Sequence, residues 1–515
     1  MRRFVVGLLV FITAGAAYAE LQNVQVGGQI RIRGRYWSNT YENDLRRPRA
    51  VRIPAQYVPG RAIGPYGVAS EMSWSEDSNS RALIEQTTKL RVTADFTDNV
   101  TALIELDDSE VWGGGDFRSD YLTGADTRAN SADDVEVLQS YIETRQTFGV
   151  PVQVRIGRQQ IKVGDGWLVG ETQGIQELSF DGIRVTYGTK TFSVDAWATK
   201  LFEGGTAEQD GDVDFYGLVA TCKAIPKNEF SAYWLWVRDA RSVRDTRRVW
   251  FGEWFEDALG LDDYDVTNLH TVGVRAAGTF APVDYKLELA YQFGNADSVG
   301  ALFRPYTYGD NRADFSSWAG DAEIGYTFDV AWKPRVFVGG AYFGGEDNRD
   351  VTFFDWLGVA YRPDASVSFN RLFSSRTYLY TFDQDRNTSN FNEVRLGVAT
   401  QPTDSVKASL AVHKLAANAE FDMPWNILLG RYRVPLLPNW SFLTTPSGTD
   451  IGYVAELNVD YQYSPDLSIK FTWEHLFASG DLNEGNFLNL NGLEFIGGRD
   501  HDDADYVAFD TRLKF

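Results

Sequence analysis

Cysteine is nearly absent: Cys222 stands alone among 515 residues, so no disulfide can close within the chain, and neither a thiolate zinc site nor a CxxC haem attachment is supported. Histidine is scarce as well. His270, His413, His475 and His501 are scattered without metal-ligand spacing, so no metal site is expected. No GxSxG occurs, and Gly164-Asp165-Gly166 lacks the lysine and following helix of a phosphate loop. The close carboxylates Glu105, Asp107 and Asp108 carry no motif, so neither catalytic residues nor a cofactor are expected. Positive charge is in deficit too: the net charge of −22 argues against nucleic acid as a partner. Finally, beyond residue 19 every longer apolar stretch is interrupted by charge, so a spanning helix is excluded. A membrane location would then require a closed β-barrel, the other architecture that satisfies the backbone in lipid.

What is present fits that requirement. Met1-Arg2-Arg3, an apolar run from Phe4 to Ala14 and the small residues Ala17 and Ala19 have the layout of a secretory signal peptide cut after Ala19. The expected organisation is therefore a signal peptide at 1–19 and one barrel domain at 20–515. Gln29 to Tyr36 alternates strictly, with Arg31, Arg33 and Arg35 on one side of an extended chain and Ile30, Ile32 and Tyr36 on the other. Eighteen segments show such alternation: 26–37, 84–96, 100–107, 136–147, 152–157, 180–187, 191–201, 214–222, 229–238, 269–280, 283–293, 319–328, 334–343, 391–400, 405–414, 450–463, 467–477 and 505–515. In 405–413, for example, Val406, Ala408, Leu410 and Val412 oppose Lys407, Ser409 and His413.

The connections alternate between long and short along the whole chain, as in outer-membrane barrels with short periplasmic turns and long extracellular loops. Aromatic residues make up 14% of the chain, and Trp37, Trp234, Trp236, Tyr326 and Trp473 fall where interfacial girdles are expected. The last segment puts Val507, Phe509, Leu513 and Phe515 on one face, which resembles the terminal-strand signal read by the barrel-assembly machinery. The predicted fold is all-β, a transmembrane antiparallel barrel of about eighteen strands in the outer membrane of a Gram-negative-type bacterium, with the first strand closing on the last.

Within 138–187 the chain reads Leu138-Gln139-Ser140-Tyr141-Ile142-Glu143, Arg155-Ile156-Gly157-Arg158-Gln159, Gly164-Asp165, Leu168-Val169-Gly170 and Phe180-Asp181-Gly182-Ile183-Arg184. These motifs, with Gly452 to Leu457 and Ser464-Pro465-Asp466-Leu467, resemble the alginate export family of outer-membrane porins. The resemblance implies an eighteen-stranded barrel whose basic constriction passes an anionic polyuronate. Trp167 stands where that family often has a basic residue, and Leu178-Ser179 stand where an arginine is common. Both departures reduce the basic character near the motif.

Alternation assigns Arg31, Arg33, Arg35, Lys89, Arg91, Arg155, Arg184, Arg275 and Arg395 to the lumen, with Arg158 at a strand–loop junction and Glu143 and Asp181 completing the pore-lining set. Arginine stays charged and grips a carboxylate with two hydrogen bonds, so such a wall suits an anionic saccharide or small anionic solute. The same arginines would equally brace the wall by pairing with Glu143, Asp195, Glu288, Glu393 or Glu456. Acidic loops at 107–136 and 501–505, a basic patch at 45–52 and a candidate gate at 376–382 complete the picture, and the loops 38–83 and 344–390 are long enough to fold inward. Three functions are compatible with these residues: an anion-passing channel in outer-membrane lipid, an uptake porin for a neutral or cationic solute, and a barrel enzyme or sheath for a partner protein.

Overall fold

A strand whose two faces differ this strongly is stable where one face meets lipid and the other water or polar partners, and the backbone is satisfied only if the sheet closes. The computed structural model describes residues 22–38, 80–97, 99–112, 135–173, 176–203, 212–240, 266–295, 313–345, 365–367, 369–383, 388–418, 449–479 and 503–515, with short strands at 69–72, 422–424, 426–429, 432–435, 444–446, 487–490 and 494–495. The expected signal peptide at 1–19, the patch at 45–52, most of the loops 38–83 and 107–136, and residues 346–364, 368 and 384–387 of the loop 344–390 lie outside the described residues.

The barrel begins with β1 (Asn23–Ser38), β2 (Arg81–Thr97), β3 (Val100–Val111), β4 (Glu136–Thr144), β5 (Val152–Gln159) and β6 (Phe180–Gly188). It continues through β7 (Phe192–Phe202), β8 (Val213–Cys222), β9 (Asn228–Asp239), β10 (Thr267–Phe280), β11 (Val283–Asn295) and β12 (Ala313–Thr327). It ends with β13 (Arg335–Phe343), β14 (Phe391–Thr403), β15 (Val406–Ala417), β16 (Asp450–Gln462), β17 (Leu467–Ala478) and β18 (Ala504–Lys514). Each strand pairs antiparallel with the next, and β18 pairs with β1, so these eighteen strands close on themselves. The seam sets Arg33 opposite Asp510 and Arg31 opposite Arg512. Two further backbone hydrogen bonds tie it, Gly28 N–H to Phe515 O at 2.9 Å and Phe515 N–H to Gly28 O at 3.1 Å.

The outer face is apolar and exposed, as Ile104, Ile142, Ile156, Val274, Leu396, Leu410 and Phe509 show. A water-facing sheet would not carry such a surface, whereas a lipid-facing one must. Across β8–β11 one outward row is aromatic throughout: Tyr216, Trp236, His270 and Phe293 stack with centroids 4.8, 5.3 and 5.1 Å apart. Trp37 departs from the expected girdle. It shares the inward face of β1 with Arg35 and is buried against Tyr506 at 5.2 Å, because alternation from Arg33 puts residue 37 inside.

The hydrophobic core lies inside the barrel. Residues 160–173 and 176–179, between β5 and β6, and 369–383 and 388–390, between β13 and β14, run within it and meet at a parallel bridge between Val169 and Phe373. Gly170 N–H donates to Phe373 O at 2.9 Å, Phe373 N–H to Leu168 O at 2.9 Å, and Ser375 N–H to Gly166 O at 3.0 Å. Any Cβ on Gly170 would meet Ser375, so the crossing needs glycine there. Phe373 then packs on Phe180 and Phe215, at 5.1 and 4.7 Å, while Trp167 and Phe382 pack against the β13 and β14 aromatics Phe343 and Phe391. Gly217 on β8 leaves the space that the Trp197 ring occupies. Dense aromatic packing of this kind is what fixes an otherwise irregular segment in a wide bore.

Candidate functional site in the lumen

The inner segments are irregular backbone, so their polar groups must find partners on the barrel wall. Trp167 Nε1 donates to the Tyr378 hydroxyl at 2.9 Å, and Tyr378 donates to Asp321 on β12 at 2.8 Å. Burial and the adjacent Asp321 carboxylate hold the Tyr378 hydroxyl well above its ordinary pKa, so it remains a donor. Glu474 on β17 accepts from Tyr380 N–H at 3.1 Å, Thr381 N–H at 2.9 Å and the Thr381 hydroxyl at 3.1 Å. Tyr380 stacks on Tyr506 of β18 at 4.6 Å. Arg371 and Asp383 form an ion pair at 2.6 Å with both side chains fully buried. Segment 369–383 therefore reaches from the β12 side of the bore to β17 and β18, and the sequence-predicted gate 376–382 is part of it.

Asp165 anchors the other segment by reaching Arg275 at 2.9 Å and Lys286 at 2.8 Å. Burial opposes its ionisation, but the Lys286 hydrogen bond and the charges of Lys286 and Arg275 outweigh that and hold its carboxyl below the usual range. Glu177 binds Lys89 of β2 at 2.6 Å, tying the end of the same segment to the opposite side.

The residues expected to line the pore take three different positions. Arg31 pairs with Asp510, while Arg33 and Arg35 share Glu85 at 2.5 and 2.9 Å, so this ladder braces the seam between β18, β1 and β2. Arg35 also lies over Trp37, 4.1 Å from the ring centroid. Arg91, Arg155 and Arg184 face the lumen and pair with Glu105, Glu143 and Asp195 at 2.9, 2.7 and 2.5 Å. Arg275 and Arg395 face inward but are buried among carboxylates, Arg275 with Glu229 at 2.6 Å and Arg395 with Glu393 at 2.9 Å. Arg158 and Asp181 are a different matter: they oppose each other at 2.7 Å on the outward side, flanked by the exposed Ile156 and Ile183. Alternation explains this, since Arg158 lies three residues from the inward Arg155 and must face the other way.

Several inward groups were absent from the expected set. Lys407, Lys470 and Arg512 face the lumen with no ion pair among the described residues, and Asp165 and Tyr378 come from inner segments with no strand pattern. The alternation that put Lys407 and Lys470 opposite Leu410 and Phe471 already carried the signal for the first two.

The lumen is not electrically uniform. On the β1–β6 arc the cation is the partner left to water: Arg91 is 49% exposed over a Glu105 that is 4% exposed, and Arg155 is 21% exposed over a Glu143 that is 5% exposed. Arg31 and Arg184 follow the same order. On the β9–β14 arc the outermost layer is acidic: Asp165 is 48% exposed over an Arg275 that is 7% exposed, and Glu323 is 24% exposed over an Arg395 that is 6% exposed. Glu229 and Asp284 are likewise more exposed than the arginines they bind. Deeper in that wall Glu288, Asp321 and Glu393 are buried, and among the described residues Arg335, Arg376 and Lys223, which is 60% exposed over Glu229, are cations that approach the water.

One family pattern and several solved structures resemble the chain. The sequence pattern described as alginate export matches residues 73–485. No curated protein sequence matches the chain. Among solved structures, OccK8 (OprE) of Pseudomonas aeruginosa is 12% identical, with 96% of this chain and 99% of that one covered and a TM-score of 0.48. OccD3 (OpdP) of the same organism is 11% identical over 97% and 93% of the two chains, TM-score 0.47, and a BenF-like porin from Pseudomonas fluorescens is 10% identical over 96% and 100%, TM-score 0.46. A closed barrel with a lipid-facing outer surface and a charged lumen is an outer-membrane channel. More particularly, the chain belongs to the alginate export family, whose pattern covers most of its length.

Proposed function

We propose that this outer-membrane channel passes an anionic oligosaccharide or polysaccharide, or another anionic solute, along the β1–β6 side of its lumen. The observation that carries the reading is the order of exposure there: at Arg91 and Arg155 the guanidinium meets the water and its carboxylate partner lies behind it. A buried counter-charge holds each arginine in place while leaving N–H donors for a solute carboxylate, which arginine can bind bidentately. The inward cations Lys407, Lys470 and Arg512, which have no ion pair among the described residues, extend the same surface across the seam. Passage needs no chemical step, and the family is one of transport channels. The proposed mature chain is a single barrel domain that follows a signal peptide removed after Ala19, which N-terminal sequencing of the membrane protein checks.

The test is the reversal potential of purified channels in planar bilayers under a potassium chloride gradient. Anion preference is expected, and it should diminish in Arg91→Gln/Arg155→Gln/Arg184→Gln. A cation preference that this triple substitution leaves unchanged would sink the reading.

A further inference from the structure

The two arcs face one another. In a ring of eighteen strands β3 and β4 lie half a turn from β12 and β13, so the wall that exposes guanidinium groups confronts the wall that exposes carboxylates. Their heights correspond at three positions, while Arg91 is the seventh residue from the short-turn end of β2 and Glu229 and Asp284 are the second from that end of β9 and β11. Arg184 and Glu323 are each the fifth residue from the short-turn end of their strands, β6 and β12, and Arg155 is the fourth from that end of β5. Wall bracing alone does not require this arrangement, because a pair braces equally well whichever partner is exposed. Here the more exposed partner is the cation at Arg31, Arg91, Arg155 and Arg184 on one side, and the carboxylate where Asp165, Glu229, Asp284 and Glu323 meet Arg275, Arg335 and Arg395 on the other, with Lys223 and Arg376 the exceptions on that wall.

We propose that the lumen carries a transverse electric field and that it prefers solutes bearing both an anionic and a cationic group over purely anionic ones of the same size, which makes an acidic amino sugar the favoured chemical class. This rests on the reading of the β1–β6 arc as the anion-binding side and extends it to the opposite wall. Opposed charges set in low-dielectric walls focus field lines across the water between them. A simple carboxylate gains at one wall and is repelled by the other. A solute with a carboxylate and an ammonium gains at both, and it gives up only the freedom to rotate. Asp165 gives the acidic wall a member that belongs to no strand: it lies in segment 160–173 and meets Arg275 and Lys286.

The experiment compares uptake of glucose, glucuronate, glucosamine and 2-amino-2-deoxyglucuronate into proteoliposomes by isotonic swelling. In the native channel the amino uronate should permeate faster than glucuronate, by about threefold or more given two favourable walls rather than one. In Asp284→Asn/Glu323→Gln that ratio should fall towards one, with glucuronate itself speeding up. Asp165→Asn should lower it in the same direction, and because Asp165 lies outside the barrel strands this variant leaves the barrel's own pairing untouched. An amino uronate no faster than glucuronate in the native channel, or a ratio that neither variant changes, overturns the proposal. Failure of the anion reading looks different: glucosamine would outrun glucuronate in the native channel, and a still faster amino uronate would leave the transverse field standing without it.

Discussion

The β1–β6 arc and the β9–β14 arc are built from the same kind of contact, an arginine or lysine against a carboxylate on a neighbouring strand, yet they offer opposite signs to the lumen. At Arg91 the guanidinium stands out from a buried Glu105, whereas at Arg275 the guanidinium is buried and Asp165 and Glu229 stand out. The difference comes from what lies in front of each wall. The inner segments pack on β6, β8, β17 and β18 as well as on the β9–β14 arc, but on that arc they supply Asp165 to Arg275 and bring Tyr378 onto Asp321. Composition therefore says little about the surface a solute meets; depth within each pair decides it.

The strongest way to break this contrast is to release the inner segment. Asp383→Ala leaves Arg371 buried without its counter-ion, a change that costs about 3–5 kcal/mol. Segment 369–383 should then leave the wall, seen as a rise in single-channel conductance and new protease cleavage within it. Tyr378→Phe is the gentler form of the same test. It removes the hydroxyl that joins Trp167 to Asp321, at a cost of about 1–3 kcal/mol for the groups left unpaired, and should lower the thermal unfolding temperature while the barrel strands remain intact by circular dichroism.

Two smaller effects sharpen the comparison. Arg91→Gln removes the most exposed of the lumen-facing arginines in the predicted set and should reduce the anion-to-cation permeability ratio by about twofold, while Arg395→Gln, buried on the other arc, should act mainly on stability. Acidification tests Asp165. Its folded pKa lies below the unfolded value of about 3.9, so its anchoring contribution is complete above that pH and is lost as the pH falls through the lower, folded value. Channel noise from segment 160–173 should therefore increase only below about pH 4, and Asp165→Asn should show that noise at neutral pH as well.

Much of the barrel is legible in the residues. Strict alternation locates the strands, and the apolar face of Phe509 and Leu513 against that of Ile30 and Ile32 brings β18 to β1. The family motifs around Arg155 and Phe180 agree with the match over 73–485. The lumen is legible in direction and not in depth. Period two tells which way Arg91 and Arg275 point, but how far each is from water depends on loops and partners many residues away. At Arg158, expected at a strand–loop junction, and at Asp181, both placed in the pore-lining set, the expected face differs from the observed one. Trp37 shows the same thing in reverse, an aromatic at a strand end that turns inward to meet Arg35 and Tyr506.

The sequence by itself determined a closed antiparallel barrel, because alternating strands with apolar outer faces and internally paired backbones have one stable form in lipid. Tertiary structure alone decided what fills that barrel and which sign it shows to a solute. Segments 160–173 and 369–383 have no periodicity to announce them; they are held by aromatic packing and by single contacts such as Glu474 with Thr381, between residues 93 positions apart in the chain. Exposure within an ion pair is set by those same distant contacts, and for that reason the two faces of the lumen differ although their residues are alike.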